Sequence, residues 1–194
     1  MRRQLLTSAV MLLVVTLALG FGYPLVVTGI SQVFFHDQAN GSLIFANGKL
    51  TGSALLGQSF SDSKGNPLPQ FFQPRPSASD YDGADSSASN LGPANPQFLK
   101  TVAERTVAFR LFNHLPPGTA VPVDAVTASG SGLDPDISVQ NALDQAPRVA
   151  QARHLPASEV ITLVHRYTTP SQWGFLSEPV VNVLDINLAL EALK

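Results

Sequence analysis

The chain contains no cysteine among its 194 residues. This absence excludes a disulfide scaffold, a thiolate metal site, a cysteine nucleophile and a lipid-modified cysteine anchor. Charge is also scarce: 13% of the residues are charged, against about 25% in typical soluble domains. The formal net charge of −2 argues against a strongly basic nucleic-acid binder. With 14 glycines and 15 prolines, the chain is not expected to be helical throughout.

The few charged residues are unevenly distributed along the chain. After Arg2 and Arg3 no Asp, Glu, Lys or Arg occurs before Asp37, so 24 of the 26 charged residues fall within residues 37–194. Residues 5–35 are uncharged and mostly apolar, and a helix needs only about 20 such residues to cross a bilayer. A cleaved signal peptide is the alternative, but the apolar run continues far beyond a signal-peptide core. We expect a permanent transmembrane anchor over residues 5–35.

The orientation of the anchor follows from its flanking charges. Arg2 and Arg3 precede the helix, and the first charged residue after it is acidic. The positive-inside rule therefore predicts a cytoplasmic N-terminus over residues 1–4 and an extracytoplasmic domain over residues 36–194. In a Gram-negative cell this domain would lie in the periplasm, anchored to the inner membrane by a single pass.

Small residues in the anchor predict a contact with another helix. Ala18 and Gly22 are four residues apart, and Gly29 follows seven residues later, so the three share one face on which a second helix can approach closely. The alternative is that glycine is simply common in membrane helices. Pro24 lies within the same run and predicts a kink or the end of the first half of the helix.

The remainder of the chain predicts a single mixed α+β domain. Asn47-Gly48 predicts a hairpin turn between strands near 42–45 and 49–51, and residues 61–97 predict an ordered functional loop. The other predicted elements are a helix from 96, capped by Asn95, to 115; a strand at 121–126; helices at 138–154, bent at Pro147, and 158–167; a strand at 179–185; and a helix at 187–193 followed by Lys194.

No motif of the sequence predicts catalysis or metal binding. Walker-type phosphate loops, nucleophile elbows and metal-ligand spacings are all missing from the sequence. The loop Ser129-Gly130-Ser131-Gly132 is best explained as a turn, although its backbone N–H groups offer a weak anion or nucleotide site. Asp134 and Asp136 are expected to cap the helix that follows.

Several segments, in order, resemble the C subunit of the Kdp potassium-transporting ATPase. They include Tyr23-Pro24-Leu25-Val26-Val27-Thr28-Gly29-Ile30 and Gln145-Ala146-Pro147-Arg148-Val149-Ala150. The other matching segments are 38–44, 56–60, 72–78, 89–96, 122–135 and 181–187. Together they cover most of the chain from residue 23 to its C-terminus.

The resemblance implies an accessory single-span subunit of an ATP-driven potassium uptake complex. Its implied partners are a channel-like A subunit, a P-type ATPase B subunit and a small F subunit, with no nucleic acid. The family is described as needed for assembly and as a catalytic chaperone that raises the ATP affinity of the B subunit. The implied nucleotide candidates are Gln145 and the loop of Ser129, Gly130, Ser131 and Gly132, although the predicted orientation places them opposite to cytoplasmic ATP.

Two further interpretations stay open at this point. The first is a membrane-anchored extracytoplasmic binding module for an anion or a nucleotide that uses residues 127–135. The second is an anchored hydrolase, for which the sequence offers no recognisable nucleophile. Arg75, within the segment 71–97, is a candidate either for a contact with a partner subunit or for packing within its own domain.

Overall fold

The computed structural model describes residues 1–46 and 48–193, which divide into the compact units Met1–Leu43 and Ile44–Lys194. The first unit is built on one apolar helix of 33 residues, Arg2–Phe34, long enough to cross a membrane. It comprises α1 (Arg2–Leu17), a π-helical turn (Ala18–Gly22) and α2 (Tyr23–Phe34). A short helix, α3 (His36–Ala39), follows.

The helix continues past Pro24 instead of ending there. Proline lacks the N–H group that would continue the helical ladder, and the ladder widens just before it: the N–H of Tyr23 donates to the carbonyl of Ala18, five residues back. Pro24, which has no N–H to donate, follows directly on this wider turn at the start of α2. The predicted irregularity is therefore present as a π turn of Ala18–Gly22.

A paired hairpin lies near the start of the second unit, as the sequence predicts. Strands β1 (Leu43–Ala46) and β2 (Lys49–Ser53) are hydrogen-bonded neighbours. Asn47 of the predicted turn lies outside the described residues, and Gly48 has a φ of +75°, in the region where glycine is favoured. Helix α4 (Pro96–Phe112) begins later in the chain and is capped by Asn95, whose side chain accepts from the N–H groups of Gln97 and Phe98.

The core of the second unit is a small antiparallel sheet packed against helices. The sheet order is β3 (Asp136–Ser138), β5 (Val180–Asn182) and β4 (Thr168–Thr169), and Ile137 lies opposite Val181. Helices α6 (Val139–Arg153), α7 (Ala157–Arg166) and α8 (Val183–Ala192) contribute most of the other buried apolar side chains. The predicted mixed α+β fold is confirmed.

Two of the predicted elements are wrong in their type or their extent. Residues 121–126 form no strand: Val123–Val126 is the single-turn helix α5, in which Asp124 accepts from the backbone N–H and the hydroxyl of Ser138. The strand at 179–185 ends at Asn182, whose side chain caps α8 by accepting from Leu184 and Asp185. Lys194, which was expected after this helix, lies outside the described residues.

Helix α6 also differs from its predicted cap. Neither Asp134 nor Asp136 caps it; Ser138 does, with its hydroxyl accepting from the N–H of Asn141. Asp134 instead forms an ion pair with Arg75, at 2.8 Å. Pro147 lies inside α6, and the helix runs through it to Arg153.

Candidate functional site

The segment of residues 61–95 is ordered against the domain and supplies part of its core. Phe72 is fully buried, and the Asn187 side chain brackets it by accepting from its N–H at 2.8 Å and donating to its carbonyl at 2.9 Å. These two bonds satisfy both backbone hydrogen-bonding groups of this buried residue. The long proline-rich segment is therefore structural as well as a connection.

Gln145 lies at the centre of the same attachment. Its side chain is 1% exposed, and its amide holds Gln73 through two bonds: Oε1 accepts from the N–H at 2.7 Å, and Nε2 donates to the carbonyl at 3.0 Å. Nε2 also donates to Asn141, and Oε1 also accepts from Arg148. All four hydrogen-bonding positions of this amide are thus used within the domain.

Two arginines of α6 hold the segment from the other side. Arg148 is 2% exposed; it donates to the carbonyls of Pro69 and Phe71 and to Asn113, and its guanidinium lies 4.3 Å from the centre of the Phe112 ring. Burial lowers the pKa of Arg148 to about 10, and no carboxylate of the described residues pairs with it. The charge is stabilised by dipoles and by an aromatic face alone.

Arg153 repeats the arrangement one and a half turns later. Its Nε donates to the carbonyl of Gln70 at 2.6 Å, and Nη1 donates to the carbonyl of Leu190 at 3.1 Å. The guanidinium lies 4.9 Å from the centre of the Phe71 ring. Residues 69–73 are therefore held by Gln145, Asn187 and these two arginines.

The serine–glycine loop is held by a neighbouring loop of the same domain. Ser77 and Ser79 both donate to the carbonyl of Gly132, and Ser86 donates to the carbonyl of Ser131. Ser129 is 3% exposed. Gly132 has a φ of +71°, and a Cβ there would approach the Ser87 carbonyl oxygen to 2.7 Å, so the chain needs glycine at this position.

Arg75 lies within its own domain in this structure. Its Nη1 donates to Asp134 at 2.8 Å, and its own carbonyl accepts from the hydroxyl of Tyr81 at 2.7 Å. Burial of that hydroxyl raises the pKa of Tyr81 to about 12, and the neighbouring charge of Asp80 adds to the rise. The ion pair ties the segment 75–81 to the loop that ends at Asp134.

A cleft of about 220 Å³ lies beside Gln145. Phe109 and Phe112 of α4, two prolines and the half-buried Arg105 form most of its wall, and the amides of Asn141 and Gln145 reach it. Arg105 donates to the carbonyl of Val126 at 3.2 Å. Among residues 1–46 and 48–193, no group of three metal-ligating side chains comes together.

The small-residue face of the apolar helix is open. A Cβ placed on Gly29 would meet no atom within 4 Å, and one placed on Gly22 would meet only the carbonyl of Leu17, at 3.8 Å. Ala18 and Gly22 bound the π turn. The face predicted from Ala18, Gly22 and Gly29 is therefore free of steric obstacles within its own helix.

Sequence reasoning identified Gln145 and Arg75 as candidates but missed the residues that surround them. The sequence did not reveal that Arg148 and Arg153 bind the backbone of the segment, because a charged residue in an amphipathic helix normally lies on the solvated face. Arg148 falls beside Val149 and one turn from Gln145, next to the correctly predicted apolar face. A charged residue next to the apolar face was the one feature of the sequence that could have indicated a buried arginine.

Comparisons with known proteins agree over the whole chain. Residues 5–192 match the family KdpC, described as "K+-transporting ATPase, c chain". The "Potassium-transporting ATPase KdpC subunit" of Mycobacterium tuberculosis (strain ATCC 25618 / H37Rv) is 54% identical over 195 residues and covers 100% of both chains. The protein of the same description from Methylococcus capsulatus is 52% identical over 96% of each chain.

A third relative shows the same agreement. The "Potassium-transporting ATPase KdpC subunit" of Beijerinckia indica subsp. indica is 48% identical over 194 residues, which cover 99% of this chain and 95% of the relative. The segments that carry the resemblance in the sequence include residues 23–30 and 122–135, and both lie inside the matched range. The chain belongs to the KdpC family, the c chain of the K+-transporting ATPase.

Proposed function

We propose that this chain is an accessory, non-catalytic subunit that assembles and stabilises an ATP-driven potassium uptake complex. The observation that carries the proposal is the family match along the whole chain, over both the apolar helix and the domain. The proposed partners are a channel-like A subunit, a P-type ATPase B subunit and a small F subunit.

Co-purification tests this function. The full chain, tagged and expressed with the other chains of the ATPase, should bring them down in mild detergent, and potassium-stimulated ATP hydrolysis should be lost when the chain is omitted. A monodisperse lone chain, or full hydrolysis in its absence, would contradict the proposal. Retention of a soluble ligand by the lone chain would favour an anchored binding module instead.

The membrane helix supplies the first proposed contact with a partner. Its face of Ala18, Gly22 and Gly29 has room for a close helix neighbour, and such packing is the main source of helix association in lipid. Gly22→Leu should reduce recovery of the complex severalfold. Gly20→Leu is the matched control, because Gly20 lies on the opposite side of the helix. Equal recovery of both variants would remove this face from the proposal.

The domain is proposed to lie outside the inner membrane, with residues 1–4 in the cytoplasm. Arg2 and Arg3 before the apolar helix, and an acidic residue first after it, support this orientation. Since the chain has no cysteine, Gly130→Cys creates one reporter in an exposed loop. A membrane-impermeant maleimide should label it from outside intact cells. Labelling only from the cytoplasmic side would reverse the orientation.

We propose that any effect on ATP affinity is exerted through contact with the B subunit, without a nucleotide on this chain. The amide of Gln145 is fully used by Gln73, Asn141 and Arg148, and in the serine–glycine loop the N–H of Ser129 already donates to the carbonyl of Pro76. A photoreactive ATP analogue should therefore label only the B subunit in the complex. Cross-links to Ser129, Gly130, Ser131, Gly132 or Gln145 would support the nucleotide-binding alternative.

A further inference from the structure

The loop between β4 and β5 exposes an unusual apolar surface. Trp173 is 86% exposed and Phe175 75%, which are the highest values among the large apolar residues described in the unit Ile44–Lys194; Leu176 is 56% exposed. Trp173 is the only tryptophan of the chain. Aromatic side chains gain a large free energy when they are buried, because each removes a large apolar area from water. A cluster of them that is exposed therefore marks a contact surface.

The loop is closed by its own hydrogen bonds. The N–H of Gly174 donates to the carbonyl of Ser171 and that of Leu176 to the carbonyl of Gln172, both at 3.0 Å. The hydroxyl of Ser177 accepts from the N–H of Gln172 at 3.2 Å. Thr168 and Val180, on either side of the loop, belong to strands that pair with each other. The exposed side chains are thus presented on a fixed base, which lowers the entropy lost on binding.

The backbone at the tip supports the same conclusion. Trp173 has a φ of +52°, in the left-handed region that a bulky residue rarely occupies. Such a conformation persists only where the surrounding bonds impose it, and the indole that it carries lies in solvent. A loop with no role at its tip would not need a tryptophan in this conformation.

Charge indicates what covers the loop. Residues 167–177 carry no charge, and the next residue, Glu178, is exposed and forms no ion pair with a described residue. Once Arg2 and Arg3 are set aside, 10 basic and 14 acidic residues remain, so the region after the anchor has a net charge of −4. Loops and helices that enter anionic lipid are flanked by clusters of lysine and arginine, whereas here the nearest basic residues in the sequence are the single Arg166 before the loop and Lys194 after it. Complementarity favours a protein surface with basic residues.

We propose that Trp173 and Phe175 insert into an apolar pocket with a basic rim on another chain of the potassium-transporting ATPase. Glu178 pairs with that rim, and the closed loop of residues 171–178 acts as the anchor of the contact. This inference rests on the proposed function, because it requires the chain to be a subunit of such a complex.

Alanine variants in the assembled complex test the inference. With the full chain co-expressed with the other ATPase chains, Trp173→Ala and Phe175→Ala should each weaken retention of those chains by roughly 10- to 100-fold on dilution in detergent. Leu111→Ala is the matched control, since Leu111 is 72% exposed on α4, and it should retain the complex as the wild type does. Thermal unfolding of each lone variant verifies its fold.

The proposed ion pair between Glu178 and the basic rim is tested by a separate measurement. Glu178→Gln should weaken retention less than Trp173→Ala but should flatten the dependence of retention on salt concentration, because the ion pair is lost. An unchanged salt dependence would overturn the basic rim. If the wild type fails to retain any ATPase chain, the proposed function fails; if it retains them and the loop variants do equally well, only this inference fails.

The single tryptophan distinguishes a lipid surface from a protein one. 5-Hydroxytryptophan incorporated at position 173 of the lone full chain, in nanodiscs of brominated phosphatidylglycerol and phosphatidylethanolamine, should remain unquenched. In the assembled complex the same probe should become protected from acrylamide. Quenching by the brominated lipids of the lone chain would assign the loop to the membrane and overturn the proposal.

Discussion

Removal of the Arg148 guanidinium should strongly destabilise the domain. In Arg148→Met, the two carbonyls of Pro69 and Phe71 and the side-chain oxygens of Asn113 and Gln145 lose a charged donor in a buried site. Hydrogen bonds to a charged group contribute about 1.5–3 kcal/mol each, but the folded state also bears several kcal/mol of desolvation for the buried ion. The balance is a loss of about 3–4 kcal/mol, at the high end for a single substitution.

Thermal unfolding of the full chain in detergent, followed by circular dichroism, measures this loss. For a chain of this size, 3–4 kcal/mol corresponds to a fall in Tm of about 6–16 °C. Arg148→Lys should fall almost as far, because an ammonium keeps the buried charge yet cannot reach four separate acceptors. The control is Arg166→Met, an exposed arginine of α7, which should change Tm little. A shift below about 3 °C for Arg148→Met would refute the reasoning that Arg148 holds residues 69–73.

Three further variants probe the same architecture by the same thermal measurement. Gln145→Ala removes four hydrogen bonds and leaves Gln73 unpaired, so it should cost about 2–4 kcal/mol; an unchanged Tm would show that water replaces the amide. Gly57→Ala should cost about 1–3 kcal/mol, because its Cβ would lie 2.5 Å from the Asp134 carbonyl oxygen, a backbone atom that cannot turn aside; the matched control is Gly92→Ala, which replaces a loop glycine that has neither a positive φ nor an atom within 4 Å of the added Cβ and should change Tm little. Burial chiefly raises the pKa of Asp144, and the charge of Asp124 adds a smaller rise, so the folded state binds this proton more tightly and loses stability as pH rises through the raised value. Asp144→Asn should therefore raise Tm by ~1–2 °C at pH 7 and by less near pH 4, after allowance for partial exposure. An equal shift of Tm at both pH values would contradict the assignment.

The sequence predicted those elements whose signals are local. Asn95 before Pro96 marked the start of α4, and the repeat of small apolar residues marked the buried face of α6. The uncharged run after Arg3 predicted the long apolar helix for the same reason: each of these signals lies within one element.

The predictions that failed depended on partners distant in the chain. Residues 121–126 have the composition of a strand, but Asp124 is recruited by Ser138, and the segment closes into one helical turn. Likewise the strand β3 exists because Ile137 pairs with Val181, 44 positions later. No pattern within a single segment of the sequence predicts that pairing.

The candidate site shows the same division. Gln145 was identified through the resemblance and Arg75 through its place in the irregular segment, whereas their surroundings depend on contacts across more than 50 residues, such as Arg75 with Asp134 and Gln145 with Gln73. A proline-rich stretch has no periodic pattern, so its sequence does not show which groups form hydrogen bonds with its backbone. Only the fold places the backbone N–H and carbonyl of Phe72 against the side-chain amide of Asn187.

The length of the apolar helix has a consequence for the lipid around it. Its 33 residues, at 1.5 Å each, extend over roughly 50 Å, whereas the hydrocarbon core is about 30 Å thick. Tilting alone would require more than about 50° to hide this excess, and membrane helices seldom tilt beyond about 40°. One or two turns must therefore project from the bilayer or thicken it locally. The helix is polar at Arg2–Gln4 and at Ser31–Gln32, so these ends can lie among the headgroups, and the hydrophobic mismatch that remains would favour neighbouring helices of matching length.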